Sequence, residues 1–210
     1  MLNRIFGKKI GMTTLFDDKG QKMAVTVVQV LPSKVLQIKT KKTDGYDALV
    51  VGFDSCKEKN VTKARLGIFK KANVAAMREM REMRADDISK FQVGQEIGAE
   101  SFESVKMVNV EGVSKGRGFA GVIKRHHFQR GRETHGNTMH REGGSIGQHT
   151  DPARVWKGKR MAGHLGNAHC TVRNVEIVQV VKEKNLIVLR GAVPGCNNRL
   201  VDIVKVNGRK

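Results

Sequence analysis

Apolar residues are unevenly distributed along the chain, and one clear secondary-structure pattern lies near its N-terminal end. AVTVVQVL (24–31) is rich in β-branched residues and ends at Pro32, while KVLQIKT (34–40) alternates apolar and polar positions. TDGYDALVVGF (43–53) begins with an Asp-Gly turn and continues into another apolar run. Short strands separated by tight turns are typical of antiparallel barrels rather than of βαβ folds, so this part of the chain predicts β structure.

The C-terminal end repeats this pattern. TVRNVEIVQVV (171–181) and LIVLRG (186–191) are separated by a KEKN turn, and LVDIVKV (200–206) follows the loop AVPGCNN (192–198). These runs are apolar enough to be buried, but the strands of either end are too few to enclose a core alone. We therefore predict a mainly β protein in which strands from both ends of the chain build one antiparallel β-barrel.

The segment FKKANVAAMREMREMRA (69–85) fits two kinds of secondary structure. Met77, Met80 and Met83 recur every three residues, and good helix formers surround them. A helix would gather the methionines loosely on one face, whereas a strand would divide them between two faces. With either structure the pattern predicts a solvated surface over a methionine-lined core, and it carries no functional signal.

The middle of the chain differs from both ends in composition. Residues 113–170 contain 11 Lys/Arg against 3 Asp/Glu, a net charge of +8, together with all seven histidines and 11 of the 23 glycines. Few residues there could form a core, and so long a stretch without one is usually functional. We call residues 113–168 the basic segment and predict that it separates two parts of a barrel domain, residues 1–112 and 169–210.

Charge and composition limit the classes of partner. The chain has a formal net charge of +19, a pI of about 10.2 and a hydrophobic fraction of 39%, so it is expected to fold and to bind a polyanion. No run approaches the ~18 apolar residues of a membrane span, and lysines interrupt the apolar stretch that a signal peptide needs. Cys56, Cys170 and Cys196 form no CxxC pair, which predicts reduced thiols in a cytosolic protein.

Motifs for catalysis or metal binding are weak. The histidines lack zinc-finger spacing and have no cysteine pair or carboxylate cluster to complete a coordination shell. Ser145 lies in GGSIG, but a nucleophile elbow needs a strand before the serine and a helix after it. SKGRGFAG (114–121) lacks the residue order of a Walker phosphate loop. We therefore predict no metal, no cofactor, no small-molecule substrate and no enzymatic activity.

The same residues suit contact with nucleic acid. Glycines in SKGRGFAG let backbone amides approach phosphates, and IKRHHFQRGR (123–132) and ARVWKGKR (153–160) add cations beside Phe128 and Trp156, which can stack on bases. An irregular basic segment suits folded RNA better than duplex DNA, whose readers present a recognition helix or a β-ribbon. Two alternatives are a general RNA chaperone or DNA-compacting protein, and a histidine-dependent nuclease.

Nearly end to end, the sequence resembles the bacterial members of the L-three family of large-subunit ribosomal proteins. The resemblance rests on several motifs in a fixed order, which makes it specific. They are GKKIGMT (7–13), VTVVQV (25–30), DGYDALVVGF (44–53), FQVGQEI (91–97), VSKGRGFAGVIKRH (113–126), THGN (134–137), GGSIGQ (143–148), VWKGKRMAGHLG (155–166) and LRGAVPG (189–195).

The resemblance implies a translation-factor-like β-barrel on the outside of the large ribosomal subunit. The basic segment would be an extension that threads through ribosomal RNA toward the peptidyl transferase centre, with GGSIGQHTDPARV (143–155) at its inner tip. It further implies binding to the 3′ region of the large-subunit rRNA and help in nucleating subunit assembly. Neighbouring ribosomal proteins as partners, a cytoplasmic location and the absence of catalysis belong to the same expectation.

Two segments refine this expectation. Thr150 stands where many bacterial relatives carry a glutamine that is methylated in some of them, so we do not expect that modification here. The MREMREMR repeat corresponds to a family stretch that forms a strand. The resemblance therefore favours a strand for residues 80–85 with a short helix before it, within an insertion near residues 65–90.

All predicted RNA contacts lie in the basic segment. Cations expected to contact phosphates are Lys115, Arg117, Lys124, Arg125, Arg130, Arg132, Arg141, Arg154, Lys157, Lys159 and Arg160. Residues expected to stack on bases or contact their edges are His126, His135, His140, His149 and Trp156, and Gln148 is a further predicted contact of the tip.

Overall fold

The computed structural model describes residues 3–84 and 88–206. The chain divides into two compact units. The first unit comprises Met1–Val113 and His169–Lys210, and the second unit comprises Ser114–Ala168. Each unit has its own internal hydrogen bonding, and we describe them separately.

The secondary structure is dominated by strands. In chain order the elements are β1 (Arg4–Phe16), β2 (Lys22–Val30), β3 (Ser33–Lys39), α1 (Lys41–Asp44), β4 (Ala48–Ser55), α2 (Lys63–Lys71), β5 (Met77–Met83), β6 (Glu96–Ile97), β7 (Met107–Val113), β8 (Phe119–Ala120), α3 (Val122–His126), β9 (Gly163–His164), β10 (His169–Val181), β11 (Leu186–Arg190) and β12 (Leu200–Lys205). Short 3-10 turns occur at Glu58–Asn60, Ile88–Lys90 and Ala99–Phe102.

A closed antiparallel barrel forms the centre of the first unit. Its strand order is β1-β12-β7-β10-β11-β2, so strands from both parts of the first unit are interleaved around it. This confirms the prediction of a mainly β protein with an antiparallel barrel built from both flanks. The closure leaves no open barrel edge, which is how antiparallel folds avoid pairing with other chains.

Two of the predicted strands lie outside the barrel. β3 and β4 pair with β5 and β6 in a separate antiparallel sheet of order β5-β4-β3-β6. The chain changes sheets at Pro32, which follows β2 and has no amide hydrogen to continue a ladder. The apolar pattern therefore identified these strands, but it did not identify their partners.

Barrel and sheet share one hydrophobic core. The rings of Phe6 on β1 and Phe53 on β4 stack with centroids 4.5 Å apart, and both side chains are completely buried. Val28, Ile187 and Ile203 belong to the same buried cluster. Aromatic side chains bury large apolar areas, so the Phe6–Phe53 stack contributes strongly to the packing of barrel against sheet.

The methionine repeat is a strand, preceded by the helix α2. Met77 and Met80 pack with the smaller cluster around Phe69, whereas Met83 lies in the main core. The methionines are thus divided between two clusters, although strict alternation along a strand would place Met77 and Met83 on one face and Met80 on the other. The strand β5 begins at Met77, three residues before the predicted range 80–85, and ends at Met83, so that Arg84 lies beyond it; residue 85 lies outside the described residues.

Two buried charges on the barrel have specific partners. Asp202 on β12 lies 3.3 Å from a guanidinium nitrogen of Arg4 on β1 and 3.4 Å from one of Arg81 on β5, which ties sheet to barrel. Burial raises the pKa of the Asp202 carboxyl, and the two guanidiniums offset that effect only in part. Lys9 is also buried, and its Nζ donates to the carbonyl oxygens of Val193 and Gly195 at 3.0 and 3.3 Å.

Two further expectations concerned the state of the cysteines and membrane-spanning segments. Cys56 is half-buried, Cys170 and Cys196 are exposed, and all three are free thiols. Among residues 3–84 and 88–206, no helix has the length and apolarity needed to cross a membrane.

Close strand packing at Gly7 gives a first prediction, with Gly11 of the same strand as control. A Cβ at Gly7 would lie 2.6 Å from Cγ1 of Val28 and 2.9 Å from the carbonyl oxygen of Gln29, whereas one at Gly11 would meet nothing within 4 Å. Gly7→Ala should lower the free energy of unfolding by about 1–3 kcal/mol through overpacking. Gly11→Ala should change it by less than about 0.5 kcal/mol. Equal melting temperatures for the two variants would contradict this packing.

The buried carboxyl of Asp202 predicts a specific pH dependence. Its folded-state pKa lies above the unfolded value of about 3.8, so the native state binds the proton more tightly. Wild type should therefore gain stability relative to Asp202→Asn as the pH falls through the window between these two pKa values, and lose it as the pH rises. Thermal unfolding of both proteins between pH 7 and pH 4 measures this difference. A difference that moved the opposite way would show that Arg4 and Arg81 outweigh the burial.

Candidate nucleic-acid interface

The second unit has almost no core of its own. Of residues 114–168, all of which the structure describes, only Ala120 is buried. The regular structure is limited to α3 and to the pairing of β8 with β9, in which Phe119 faces His164 and Ala120 faces Gly163. Apolar burial therefore contributes little to its conformation, and backbone hydrogen bonds have to define it.

The two ends of this unit pair with each other in a narrow two-stranded ribbon formed by residues 114–120 and 163–168. The amide of Ser114 donates to the carbonyl of Ala168 at 2.9 Å, and the amide of Arg117 donates to that of Leu165 at 2.9 Å. Gly166 is needed where the two strands approach, because its φ is +75° and a Cβ there would collide with the carbonyl oxygen of Lys115. The ribbon thus brings together the beginning of SKGRGFAG and the end of the basic segment.

The helix α3 is fastened to this ribbon by two predicted RNA contacts. Arg125 donates from Nη1 to the carbonyl oxygen of Met161 at 2.7 Å, and Nε2 of His126 lies 3.0 Å from the same oxygen. Both side chains are half-buried. Phe128, expected to stack on bases, is also half-buried and lies 6.2 Å from the His126 ring. These side chains orient the helix, which leaves less of their surface for RNA.

A closed loop follows α3. Gly131 donates its amide to the carbonyl of His140 at 3.1 Å, and Asn137 donates from Nδ2 to the carbonyls of Arg132 and Met139 at 3.0 and 3.2 Å. Nδ1 of His140 lies 2.8 Å from the carbonyl oxygen of Arg132, which makes Nδ1 the donor. The loop is therefore ordered by its own polar groups, and its cations lie on its exposed outside.

The tip sequence is open to solvent. Residues 143–151 and 153–160 are all exposed, and 57% of the Trp156 surface is accessible. The Arg154 guanidinium lies 5.0 Å from the centre of the Trp156 ring, within cation–π range. Ser145 donates its hydroxyl to the carbonyl of Gly147 at 3.0 Å, which is a local turn contact and lacks the adjacent base that a nucleophile requires.

Charge is the dominant property of the second unit. It contains 11 Lys/Arg and 3 Asp/Glu, and within residues 114–168 the only cation in an ion pair is Arg130, which contacts Glu133. Ten of the eleven cations therefore have no carboxylate partner. Cations of the first unit, by contrast, include several in ion pairs, such as Lys8 with Asp54 and Lys182 with Glu103.

All of the predicted contact residues lie in the second unit, and most are exposed. Arg125 and His126 are half-buried, and the others are exposed. Within the unit, the exposed cations without a side-chain hydrogen bond are Lys115, Arg117, Lys124, Arg132, Arg141, Lys157, Lys159 and Arg160. His135 and Gln148 are exposed as well, and Nδ1 of His149 lies 2.7 Å from the hydroxyl of Thr150.

Sequence reasoning passed over one prominent side chain. Phe119 is 80% exposed, more than any other large apolar residue in the described part of the chain. An aromatic residue between glycines in a cation-rich motif was a usable signal, but the exposure depends on the ribbon. Residues 3–84 and 88–206 contain no group of three or more His, Cys, Asp or Glu that could hold a metal ion.

Comparison with known proteins identifies relatives of this chain. The family model described as ribosomal protein L3 matches residues 71–185. Proteins named large ribosomal subunit protein uL3 are similar throughout. The one from Brachyspira hyodysenteriae is 46% identical over 199 residues, covering 95% of this chain and 92% of the relative. The one from a Picosynechococcus species is 49% identical over 204 residues, covering 97% and 96%. Oceanobacillus iheyensis has one that is 48% identical over 203 residues, covering 97% of each.

With these motifs in order and similarity along nearly its whole length, the chain belongs to the ribosomal protein L3 family.

Proposed function

We propose that this protein is a structural constituent of the large ribosomal subunit and that its second unit binds the large-subunit rRNA. The observation that carries the proposal is a 114–168 segment with one buried residue and ten cations that lack a carboxylate partner. A folded RNA supplies both the negative charge and the packing surface that this segment lacks. Its phosphates neutralise the cations, and its closely packed helices enclose the backbone.

Local hydrogen bonding supports recognition of a fixed RNA shape. The ribbon, the fastening of α3 at Met161 and the loop closed by Asn137 hold the cations in a defined arrangement. A preorganised arrangement lowers the entropy lost on binding, which favours one folded RNA over polyanions in general. This feature favours a ribosomal role over that of a general RNA chaperone or DNA-compacting protein.

Finer aspects of the proposal follow from membership of the family. Residues 1–112 and 169–210 would form the barrel domain, and residues 113–168 would reach toward the peptidyl transferase centre. Binding to the 3′ region of the large rRNA would help to nucleate subunit assembly in the cytoplasm. Neighbouring ribosomal proteins would be its other partners. We propose no catalytic role, no cofactor and no small-molecule substrate.

Within this proposal the predicted contacts have two kinds of role. The exposed cations, with His135, Gln148, His149 and Trp156, would contact RNA directly. Arg125, His126 and His140 would mainly hold the protein backbone through their bonds to carbonyl oxygens, with their remaining surface available to phosphates. Arg130 would have to leave Glu133, or share it, to bind a phosphate.

Sedimentation of a cell lysate through a high-salt sucrose gradient tests the ribosomal assignment. We expect the protein, followed by mass spectrometry, to remain on the large subunit at about one copy each, because shape-matched contacts resist salt better than simple charge attraction. The control is a basic protein that binds RNA without sequence preference. Release of this protein into the soluble fraction, or its spread over mixed RNA and nucleoid, would contradict the proposal.

Affinity for naked rRNA should depend steeply on salt. With roughly six to ten phosphate contacts, raising salt from about 50 to 200 mM should weaken binding on the order of 10³–10⁵-fold. Replacing Lys157, Lys159 and Arg160 with glutamine should reduce the slope of log affinity against log salt by about 2–3. Filter binding with a large-subunit rRNA transcript measures both effects.

A matched variant separates local contacts from net charge. Lys57, Lys59 and Lys63 are exposed cations of the first unit, and replacing all three with glutamine removes the same charge. We expect this control variant to retain most of the wild-type slope. An equal reduction in both variants would show that overall charge, and not the second unit, determines RNA binding.

A further inference from the structure

An exposed aromatic pair lies on the ribbon of the second unit. Phe119 on β8 is 80% exposed, and its partner across the ladder is His164 on β9, which is also exposed. Residues directly opposite each other in an antiparallel pair project their side chains to the same face, with Cβ atoms about 4.5–5.5 Å apart. One face of the ribbon therefore presents a phenyl ring beside an imidazole.

The other face of the same ribbon is covered. Ala120, the next residue after Phe119, is 4% exposed and is paired with Gly163. A Cβ at Gly163 would lie 2.5 Å from Nη1 of Arg125, so the guanidinium occupies the space above this glycine. Arg125 also donates a hydrogen bond to the Met161 carbonyl, so its side chain packs on the covered face of the ribbon and holds the backbone that carries Phe119.

The residues around Phe119 and His164 indicate what kind of partner can bind there. SKGRG (114–118) precedes Phe119, Gly121 follows Ala120, and the unit has 11 cations against 3 acids. A protein partner would need apolar surface around the ring, but the residues that precede it, SKGRG (114–118), offer two cations and no apolar side chain. A nucleobase offers an apolar face of the right size, and its phosphates complement Lys115 and Arg117.

We propose that Phe119 and His164 form a stacking site for one unpaired base of RNA. The site rests on the proposed function, because the RNA would be the large-subunit rRNA that the second unit binds. A base inside a helix already stacks on both faces, so the ligand is a base from a bulge, a loop or a junction. The Phe119 ring supplies the stacking face, and His164 extends it or contacts the edge of the base.

Binding of a large-subunit rRNA transcript to the full-length protein tests this site. Phe119→Leu keeps an apolar side chain but removes the ring, and it should weaken binding on the order of ten-fold. Phe119→Tyr keeps the ring and should remain within ~2-fold of wild type. As a matched control, Phe16→Leu makes the same change at an exposed ring of the first unit (70% exposed) and should have little effect. Equal affinity of Phe119→Leu and wild type, or an equal loss in the tyrosine variant, would overturn the stacking site.

The salt dependence distinguishes stacking from charge. Stacking releases no counterions, so Phe119→Leu should leave the slope of log affinity against log salt unchanged, whereas Arg117→Gln should reduce it by about 1. A smaller slope for Phe119→Leu would mean that the ring only positions cations, and the site would be rejected. Melting temperatures equal to wild type would show that the variants are folded, as expected for a change at an exposed ring.

Ultraviolet cross-linking of the wild-type complex identifies the occupant. We expect a cross-linked peptide that contains Phe119 or His164 and a nucleotide that is unpaired in the free rRNA. If Phe119→Leu impaired incorporation into subunits but not binding to naked rRNA, the ring would contact a protein neighbour and the base would be excluded. Wild-type protein that showed no preference for large-subunit rRNA over an unrelated transcript of equal length would overturn the proposed function as well.

Discussion

Pairing of β7 with β10 is the constraint on which the rest of the structure depends. Val113 and His169 are opposite each other in this ladder, so the chain leaves the barrel and re-enters it at adjacent positions. Closing the intervening loop of about 55 residues costs about 3–4 kcal/mol in chain entropy. The barrel ladders and the core around Phe6 and Phe53 have to offset that cost. The second unit, with a single buried residue, contributes little apolar burial of its own.

The sequence predicted the elements of the fold better than their partners. β-branched runs identified strands at both ends of the chain, because residues such as Val25 and Ile187 fit a half-buried pleated surface. The assignment of β3 and β4 to a separate sheet depended on pairing with β5, whose methionines fit a helix equally well. Packing against two clusters, one around Phe69 and one around Phe53, favours the strand over the helix for this repeat. These contacts are with residues distant in sequence, so the local pattern did not show them.

For the candidate interface, too, the sequence predicted residue types better than it predicted their contacts. Cations, glycines and histidines were visible in the composition of residues 113–170, and nearly all of the selected side chains are exposed. Bonds from Arg125 and His126 to the carbonyl of Met161 were not predictable, because some 35 residues separate the partners along the chain. Exposure of Phe119 was hidden for a similar reason, since it depends on register with His164 across the ribbon. Residue type indicated the chemistry, and tertiary contacts decided which side chains are available for it.

The barrel order also has a consequence for biosynthesis. β1 lies between β2 and β12, and β12 is the last of the described strands to leave the translating ribosome. During synthesis β1 can therefore pair on one side only, while its other edge stays open to pairing with other chains. The cationic second unit emerges in this interval, before the barrel can close. A newly made copy is consequently exposed at once to strand exchange and to stray nucleic acid, and the exposure of the β1 edge ends when β12 joins β1 and β7.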